Sequence, residues 1–419
     1  MRILILTQYY PPETGAPQNR LSDLARRLTE SGHKVTVLTA LPNYPRGEIF
    51  RAYRGRVMTE ENSTGINVIR TWIYATKNKT FLRRLLNYFS FVISSFALGL
   101  WKIGPQDVVV VESPPLFLGI SGFLLSAFKN ARLVMNVSDL WPDSAIAMGI
   151  LSNKSLIRLS RWLEEFLYKH SFLITGQTRG IVENIRSRFT DKRVALITNG
   201  VDVEAFVLAS QSDQKNPIRR EFGLGSKFVI GYAGLHGLAQ GLETIIHAAR
   251  LVAERDDLLF VFFGDGPEKE KLARLAHQLK LKNVRFLPSQ ETTRMPGIVG
   301  SFDIALVPLK RLDLFKGALP SKMFEAMAAA VPIIVTIDGE ARELVEKAQA
   351  GIPIDAENPE ALANAILDLH RDRNRLKAFG VNGRRYVTEH YDRRKIAQEF
   401  EQLLIENEYL GSLLQRNPI

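Results

Sequence analysis

Short runs of apolar and β-branched residues alternate with helical stretches along this chain of 419 residues, and the alternation starts again near its middle. Seven strands are predicted in the first half, over residues 2–7, 34–39, 68–73, 107–111, 132–137, 172–175 and 194–197. Five are predicted in the second half, over 227–232, 258–263, 283–286, 304–307 and 332–336. Helices are predicted between most of them, over 18–31, 82–103, 116–128, 155–170 and 180–189 in the first half and over 242–253, 267–279, 321–330 and 359–378 in the second. Strands that alternate with helices form βαβ units, so the sequence predicts two doubly wound, Rossmann-like α/β domains with parallel sheets.

The two series of strands are separated by the turn sequence Asn-Gly-Val-Asp at 199–202 and a polar stretch that runs to Pro217. We therefore predict an N-terminal domain over 1–205 and a C-terminal domain over 206–392. A helical tail over 393–419 is expected to cross back to the N-terminal domain. Open α/β sheets bind ligands at the carboxyl ends of their strands, so two such domains would face each other across a ligand-binding cleft.

Charge is distributed unevenly between the two halves. Residues 1–205 contain 26 Lys and Arg against 16 Asp and Glu, so they carry +10 of the formal net charge of +11. This excess predicts an anionic partner for the first half, which could be a membrane, a nucleic acid or a diphosphate-bearing substrate. The chain has no cysteine, which excludes thiolate catalysis and cysteine-ligated metal sites.

A basic cluster precedes the longest uncharged apolar run. Lys77, Lys79, Arg83 and Arg84 are followed by 17 uncharged residues over 85–101. A spanning helix needs about 20 residues, so this run is expected to fall short of crossing a bilayer. A basic start with an apolar continuation is typical of a helix that lies on an anionic membrane surface. The alternative is a buried helix of the domain.

Two segments predict phosphate or nucleotide contacts. Gly15 lies between the first strand and a helix, where backbone N–H groups can face an anion, although an ordinary βα turn would have the same sequence. Ser321 is a predicted N-cap, and Lys322 and Glu325 share one face of the following helix. A lysine in the first turn opposes the helix dipole, which favours a bound anion, while the alternative is a surface ion pair with Glu325.

A third segment lies at the end of a predicted N-terminal strand, at the edge where a ligand site is expected. The Asp139 carboxylate could orient a hydroxyl group of a ligand, and Trp141 could stack on a ligand ring. The alternatives are a helix cap or loop-ordering aspartate and a core tryptophan. No G-x-G-x-x-G follows the first strand and no P-loop motif occurs, so a nicotinamide dehydrogenase and a P-loop enzyme are disfavoured. No acidic metal motif occurs either, and neither a metal nor another cofactor is expected.

The order of several short motifs resembles glycosyltransferase family 4, whose members are retaining enzymes of the GT-B fold. The motifs are Pro-Pro…Gly in the first loop, Asn-Gly-Val-Asp at 199–202 with Phe206, Gly-Asp-Gly-Pro at 264–267, and Glu-Ala-Met-Ala at 325–328 before Val331-Pro332. Gly-Tyr-Ala-Gly at 231–234, Ala-Gln-Gly-Leu-Glu-Thr at 239–244 and Pro-Ser-Lys-x-x-Glu at 320–325 resemble its bacterial O-antigen and exopolysaccharide branch. That branch includes N-acetylfucosaminyltransferase-like members.

The resemblance implies donor-binding roles for particular residues. It implies that Glu325 binds the nucleotide ribose, that Gly15 lies near the donor diphosphate or the acceptor, and that the backbone at Phe286 and Leu287 meets the base. Gly234, Gln240 and Ser321 would complete the donor site. For such an enzyme we predict Asp139 as a catalytic residue that orients the acceptor hydroxyl or the transferred sugar, and Trp141 as an acceptor contact that stacks on a sugar ring.

Three positions depart from the family pattern. Gly317 stands where the motif has its first glutamate, and Leu235 and Gln240 stand where many members have an arginine and a lysine. The positive charge for the diphosphate must therefore come from elsewhere. Lys322 is the nearest candidate, as the catalytic cation, with Lys316 behind it.

The predicted function is transfer of a sugar, an N-acetylated amino sugar or a deoxysugar, from a nucleotide donor, with UDP favoured. The predicted acceptor is a polyprenyl-diphosphate-linked or cell-surface polysaccharide, reached by a cytoplasmic enzyme peripheral to the inner face of the membrane. A nucleotide-sugar 2-epimerase of the same fold is the alternative enzyme. A basic nucleic-acid-binding protein is the alternative from another class, but motifs of RNA-recognition domains are missing and no nucleic-acid partner is expected.

Overall fold

The computed structural model describes residues 1–77, 80–211 and 215–415. The chain forms two compact units, of which one comprises Met1–Thr198 together with the segment from Ile396 onward, and the other comprises Asn199–Lys395. The predicted limits, 205 and 393, lie seven and three residues from these divisions.

The first unit contains an eight-stranded sheet in the order β3-β4-β2-β1-β5-β6-β7-β8. Its strands are β1 (Arg2–Leu6), β2 (Lys34–Ala40), β3 (Met58–Ser63), β4 (Ile66–Thr71), β5 (Val108–Ser113), β6 (Arg132–Val137), β7 (Leu173–Gly176) and β8 (Val194–Leu196). All neighbouring pairs are parallel except β3 and β4, which are antiparallel. Strands β1 and β5 are covered on both faces, which explains their continuous runs of Ile, Leu and Val.

Helices cover both faces of this sheet and bury one apolar cluster on each. They are α1 (Ala16–Glu30), α2 (Phe81–Lys102), α3 (Leu118–Phe128), the short α4 (Asp143–Ala147), α5 (Lys154–His170) and α6 (Arg179–Arg188). The predicted helices over 18–31, 82–103, 116–128, 155–170 and 180–189 agree with these positions to within about two residues.

The second unit contains a six-stranded parallel sheet in the order β11-β10-β9-β12-β13-β14. The strands are β9 (Phe228–Ala233), β10 (Leu258–Phe263), β11 (Val284–Leu287), β12 (Ile304–Pro308), β13 (Ile333–Thr336) and β14 (Gly351–Pro353). Its helices are α7 (Val203–Gln211), α8 (Lys215–Glu221), α9 (Glu243–Leu251), α10 (Lys269–Gln278), α11 (Met295–Gly300), α12 (Ser321–Ala328), α13 (Glu340–Ala348), α14 (Pro359–Arg371) and α15 (Arg373–His390).

The structure corrects the sequence-based elements in three places. Strands β3 and β14 lie at sheet edges and were not predicted. The stretch between the two series, expected to be a polar connection, contains helices α7 and α8. The single helix expected over 359–378 is two helices, because Asp372 leaves the helical conformation and caps the second one by accepting a hydrogen bond from the backbone N–H of Arg375.

Helix α16 (Arg393–Gln415) begins in the second unit, and its residues from Ile396 belong to the first. Phe400 is 1% exposed and Leu404 is fully buried in the apolar cluster that also contains Ile3 and Ile5. The Glu401 carboxylate lies 2.8 Å from Nε2 of His33. The sequence after the second unit therefore completes the core of the first.

Replacing Phe400 with Ala should destabilise the first unit by about 3–5 kcal/mol, because it leaves a cavity in a closed core. Hydrogen exchange read at β1 and β2 measures the loss, and exchange at β9 and β10 should stay slow. Ile405→Ala, an exposed position on the same helix, is the matched control and should cost less than about 1 kcal/mol. Unchanged exchange in the first unit for Phe400→Ala would contradict this assignment of the helix.

Candidate active site

The predicted donor-binding residues lie at one edge of the second sheet, where its parallel strands end. Gly234 follows β9, Phe286 and Leu287 end β11, and Ser321 begins α12. Gln240 ends a short 3-10 turn over Leu238–Gln240. This is the edge at which open α/β sheets bind ligands.

Two glycines let the loops after β9 and β10 approach each other directly. Gly234 and Gly264 have φ of 148° and 145°, values that side chains rarely permit. A Cβ atom at Gly264 would collide with the carbonyl oxygen of Gly234. Close backbone contact at this point therefore requires glycine.

Lys322 reaches this loop from the first turn of α12. Its Nζ donates a hydrogen bond to the Tyr232 hydroxyl at 3.0 Å and lies 4.4 Å from the centroid of the Tyr232 ring. The hydroxyl in turn donates to the carbonyl oxygen of Leu235 at 2.7 Å. Nζ also lies 3.3 Å from the position that a Cβ of Gly234 would occupy. The structure thus brings together two residues, Lys322 and Gly234, that are 88 positions apart in sequence.

Glu325 lies one turn further along α12 and is half-buried. Burial raises the pKa of its carboxyl group, while the charges of Arg393 and Lys322 oppose that rise. Within the described part of the chain, no ion pair joins Lys322 to Glu325, so the surface-pair alternative is not observed. Ser321 is the first helical residue and makes no capping hydrogen bond, so its prediction as the N-cap is wrong: that position is held by Pro320.

His236 was missed by sequence reasoning. Its side chain is fully buried, and neither ring nitrogen has a hydrogen-bond partner among the described residues. Burial lowers its pKa to about 4, with Lys269 and Lys322 adding to the effect, so the ring is neutral near pH 7. Gln240 likewise keeps a buried Oε1 atom without a partner. The only feature of the sequence that could have pointed to His236 is its position directly after Leu235, which departs from the family pattern.

In the first unit, Gly15 lies immediately before α1 in extended backbone. The loop that carries it is anchored by Glu13, whose buried carboxylate accepts hydrogen bonds from the backbone N–H groups of Asn43 and Tyr44, both at 2.7 Å. Burial raises the pKa of Glu13 to about 7, and these hydrogen bonds limit the rise. Sequence reasoning did not identify Glu13.

Asp139 and Trp141 follow β6 at the carboxyl edge of the first sheet, and both are half-buried. Burial raises the pKa of Asp139. The Trp141 ring packs edge-on against Phe117, with 5.2 Å between centroids. Trp141 is therefore partly a core residue, although the half that remains exposed can still contact a ligand.

A buried polar cluster at the same edge was also missed. Arg20 from α1 donates to the carboxylate of Glu112 at the end of β5 and, at 3.1 Å, to Ser138 after β6. Glu112 also accepts hydrogen bonds from Asn136 and Ser138. Buried charges need partners of this kind, so the cluster fixes the geometry of the strand ends beside Asp139.

The predicted basic cluster is only partly described. Lys77 is exposed and forms an ion pair with Glu48 at 2.6 Å, Arg83 is exposed and Arg84 is half-buried. Lys79 lies outside the described residues.

Helix α2, whose first turn contains Arg83 and Arg84, exposes apolar residues on the side that faces away from the core. Phe91, Val92 and Ser95 face the core, whereas a stripe along the other side is apolar and exposed, consisting of Leu82, Leu86, Phe89, Ile93 and Leu100. Over Leu82–Lys102 the helix is long and apolar enough to cross a membrane by length and composition, and 22% of its most apolar window is buried. This corrects the expectation that the segment is too short, because the helix extends beyond the uncharged run.

Among the described residues, no group of His, Asp and Glu could hold a metal ion.

Comparison with protein families gives the class of the molecule. Residues 15–200 match the model of a glycosyl transferase 4-like domain, and residues 214–386 match the model named glycosyl transferases group 1. The protein is therefore a glycosyltransferase enzyme, and its two α/β units form a GT-B fold.

Individual relatives resemble the chain over nearly its full length. WcaI of Escherichia coli (strain K12), whose name assigns it to colanic acid biosynthesis as a glycosyl transferase, is 26% identical and covers 96% of this chain and 98% of its own. A GDP-mannose-dependent alpha-mannosyltransferase of Mycolicibacterium smegmatis is 25% identical over 92% of both chains. Among solved structures, HepE of Anabaena in complex with UDP-glucose is 17% identical, with a TM-score of 0.73 over 97% of this chain and all of that one.

Proposed function

We propose that this glycosyltransferase moves a sugar, with retention of configuration, from a UDP-sugar to a polyprenyl-diphosphate-linked or cell-surface polysaccharide acceptor. The observation that carries the proposal is the position of Lys322: its ammonium lies at the carboxyl end of β9, beside Gly234, with a neutral phenol as its hydrogen-bond partner. A cation held in this way can stabilise the negative charge that develops on a departing diphosphate.

The nucleotide part of the donor is assigned to the same edge. Glu325 lies one turn after Lys322, where its carboxylate can accept hydrogen bonds from the two vicinal hydroxyls of a ribose. The backbone at Phe286 and Leu287 is assigned to the base, and Gly234, Gln240 and Ser321 to the diphosphate. UDP is favoured over GDP by the resemblance to the exopolysaccharide branch, and the structurally similar HepE binds UDP-glucose. GDP is the competing outcome, because one relative is GDP-mannose-dependent.

The sugar and the acceptor are proposed from the same branch. An N-acetylated amino sugar or a deoxysugar is the transferred group, and WcaI supports a role in polysaccharide assembly. Asp139 is assigned to the acceptor hydroxyl and Trp141 to a sugar ring of the acceptor. Gly15, before α1, is assigned to a diphosphate.

A thermal-shift screen with UDP, GDP and their sugars tests the donor assignment. A ligand at a hundredfold excess over Kd stabilises the folded protein by about 2.7 kcal/mol, so a bound nucleotide is readily detected. UDP should raise Tm and GDP should not. Glu325→Ala should weaken UDP binding by about 2–3 kcal/mol, because charge-assisted hydrogen bonds to the ribose are lost. Stabilisation by GDP alone, or equal UDP affinity in Glu325→Ala, would contradict the assignment.

Lys322→Ala should lower kcat by about 10²-fold while changing KM much less, because the charge on the leaving group develops in the transition state. Steady-state kinetics with a saturating acceptor measures the two constants separately. Lys316→Ala is the control, since Lys316 is exposed and paired with Asp313 at 2.7 Å. A normal kcat in Lys322→Ala would remove Lys322 from the catalytic step.

The membrane assignment rests on the surface of the first unit. We propose that the protein is cytoplasmic and peripheral at the inner face of the membrane, with the apolar stripe of α2 in the lipid interface. Leu82 and Ile93 are each 67% exposed, so much of the stripe is open to solvent in the described chain. The opposite side of α2 is committed to the core through Phe91 and Val92, which favours an interfacial helix over a spanning one.

Co-sedimentation with vesicles measures this association. Binding should require anionic lipid and weaken with salt, since each basic residue near an anionic surface contributes about 1 kcal/mol. Substituting Lys77, Lys79, Arg83 and Arg84 with Ser should abolish the dependence on anionic lipid, and Leu86→Ser with Ile93→Ser should weaken binding at all salt concentrations. Val381→Ser, at an exposed apolar position of the other unit, is the control. Equal binding to neutral vesicles, or binding to neither kind, would contradict the proposal.

A turnover assay with and without the acceptor separates transfer from the epimerase alternative. A 2-epimerase converts the nucleotide sugar without an acceptor, whereas the proposed enzyme should release UDP only when a lipid-linked saccharide is added. Conversion of the donor alone would overturn the transferase mechanism.

A further inference from the structure

The ammonium group of Lys322 is held without being neutralised. Its hydrogen-bond acceptor is the neutral hydroxyl of Tyr232, and the face of the same ring lies beneath it. Two other lysines of this unit are paired with carboxylates: Lys316 bonds Asp313 and Lys271 bonds Glu243, and all four side chains are exposed. Lys269 is also held by neutral groups, because its Nζ donates to the carbonyl oxygens of Gly264 and Leu287. A carboxylate at Lys322 would have fixed the side chain equally well, but it would also have cancelled the charge.

Tyr232 can hold the cation because its own proton is already engaged. The hydroxyl donates to the carbonyl oxygen of Leu235, so its lone pairs are left to accept from Lys322. Hydrogen bonds connected in this order polarise one another, which strengthens the contact with the ammonium. Tyr232 itself is 1% exposed and lies in β9, a strand with a parallel neighbour on each side. The acceptor therefore has a fixed position.

A lysine side chain needs such a partner more than an arginine does. Its four-carbon stem has several rotatable bonds, and fixing them in one conformation costs rotamer entropy. A mobile ammonium group would have to be ordered during the reaction, which would raise the activation free energy of the transfer step. An ammonium already placed beside Gly234 needs no such ordering.

We propose that Tyr232 is a positioning residue for departure of the diphosphate: its hydroxyl and ring hold the Lys322 ammonium beside Gly234, charged and correctly placed. This inference rests on the proposed function, because it assigns Tyr232 to the step in which Lys322 acts. It also explains how the chain works with Leu235 and Gln240 at the two positions where an arginine and a lysine would otherwise supply charge.

Tyr232→Phe tests the inference, because it removes the hydroxyl and keeps the aromatic ring. We expect kcat to fall by about tenfold, the effect of one charge-assisted hydrogen bond, with KM changed by less than about twofold. Tyr168→Phe is the matched control: Tyr168 is equally buried, at 1% exposure, and lies in the first unit near Glu164. It should leave both constants unchanged.

A double-mutant cycle with Lys322→Ala separates positioning from a general structural effect. If Tyr232 acts through Lys322, Tyr232→Phe should have almost no effect on kcat once Lys322 is Ala. A structural defect would instead lower kcat by the same factor in both backgrounds, and that result would overturn the inference. The inference would also be overturned if Lys322→Ala lowers kcat but the single variant Tyr232→Phe has a normal kcat. That result would leave the proposed function intact. Absence of sugar transfer by the wild-type protein would instead overturn the proposed function.

Discussion

The contact between the loops after β9 and β10 is the constraint on which the proposed donor-binding edge depends. Gly234 and Gly264 adopt backbone conformations that side chains resist, and their backbones touch. This contact leaves room beside Gly234 for the Lys322 ammonium, which arrives from a helix nearly ninety residues later. A larger residue at position 264 would collide with the backbone of Gly234, and one at position 234 would crowd the Lys322 ammonium. The charge at this edge is therefore a product of backbone geometry as much as of side-chain identity.

Charge is also what distinguishes this edge from the family pattern. Leu235 and Gln240 supply none, and His236 is neutral because burial lowers its pKa to about 4. Two lysines from elsewhere in the chain bring positive charge to this edge: Lys322, held by Tyr232, and Lys269, whose Nζ donates to the carbonyl oxygens of Gly264 and Leu287. A cation that is fixed by neutral groups can act on a leaving group more fully than one that is paired with a carboxylate.

Much of the fold could be predicted because strand periodicity is a local property. Strands such as β1 and β10 are buried on both faces, so their sequences are continuous apolar runs that are recognisable without tertiary context. Strand β3 was missed because an edge strand with Glu60 and Glu61 has no such run. Helix α7 was missed because the stretch between the two series of strands was interpreted from its polar residues, although it also contains Ala, Val and Leu. The break at Asp372 was missed because the sequence around it continues a helical pattern. It becomes visible only in the structure, where one helix ends and Asp372 caps the next.

Part of the proposed site could be predicted from the sequence, for a physical reason. Lys322 and Glu325 were predicted because their spacing on one helix is local. Tyr232 and His236 were missed because their importance comes from contacts with residues distant in sequence. The same is true of Arg20 and Glu112, which look like ordinary helix and strand residues until the sheet places them together. Sequence patterns identify residues that act through local geometry, whereas partners brought together by the fold require the structure.

Hydrogen exchange with and without UDP tests the central claim most directly, namely that the second unit binds the nucleotide at this edge. The account predicts protection in the loop after β9 at 234–241, in the turn at 264–266 and in the first turn of α12, with GDP giving much less. Exchange at the strand ends beside Asp139 should be unchanged by UDP alone. Protection confined to the first unit, or no protection at the start of α12, would contradict it.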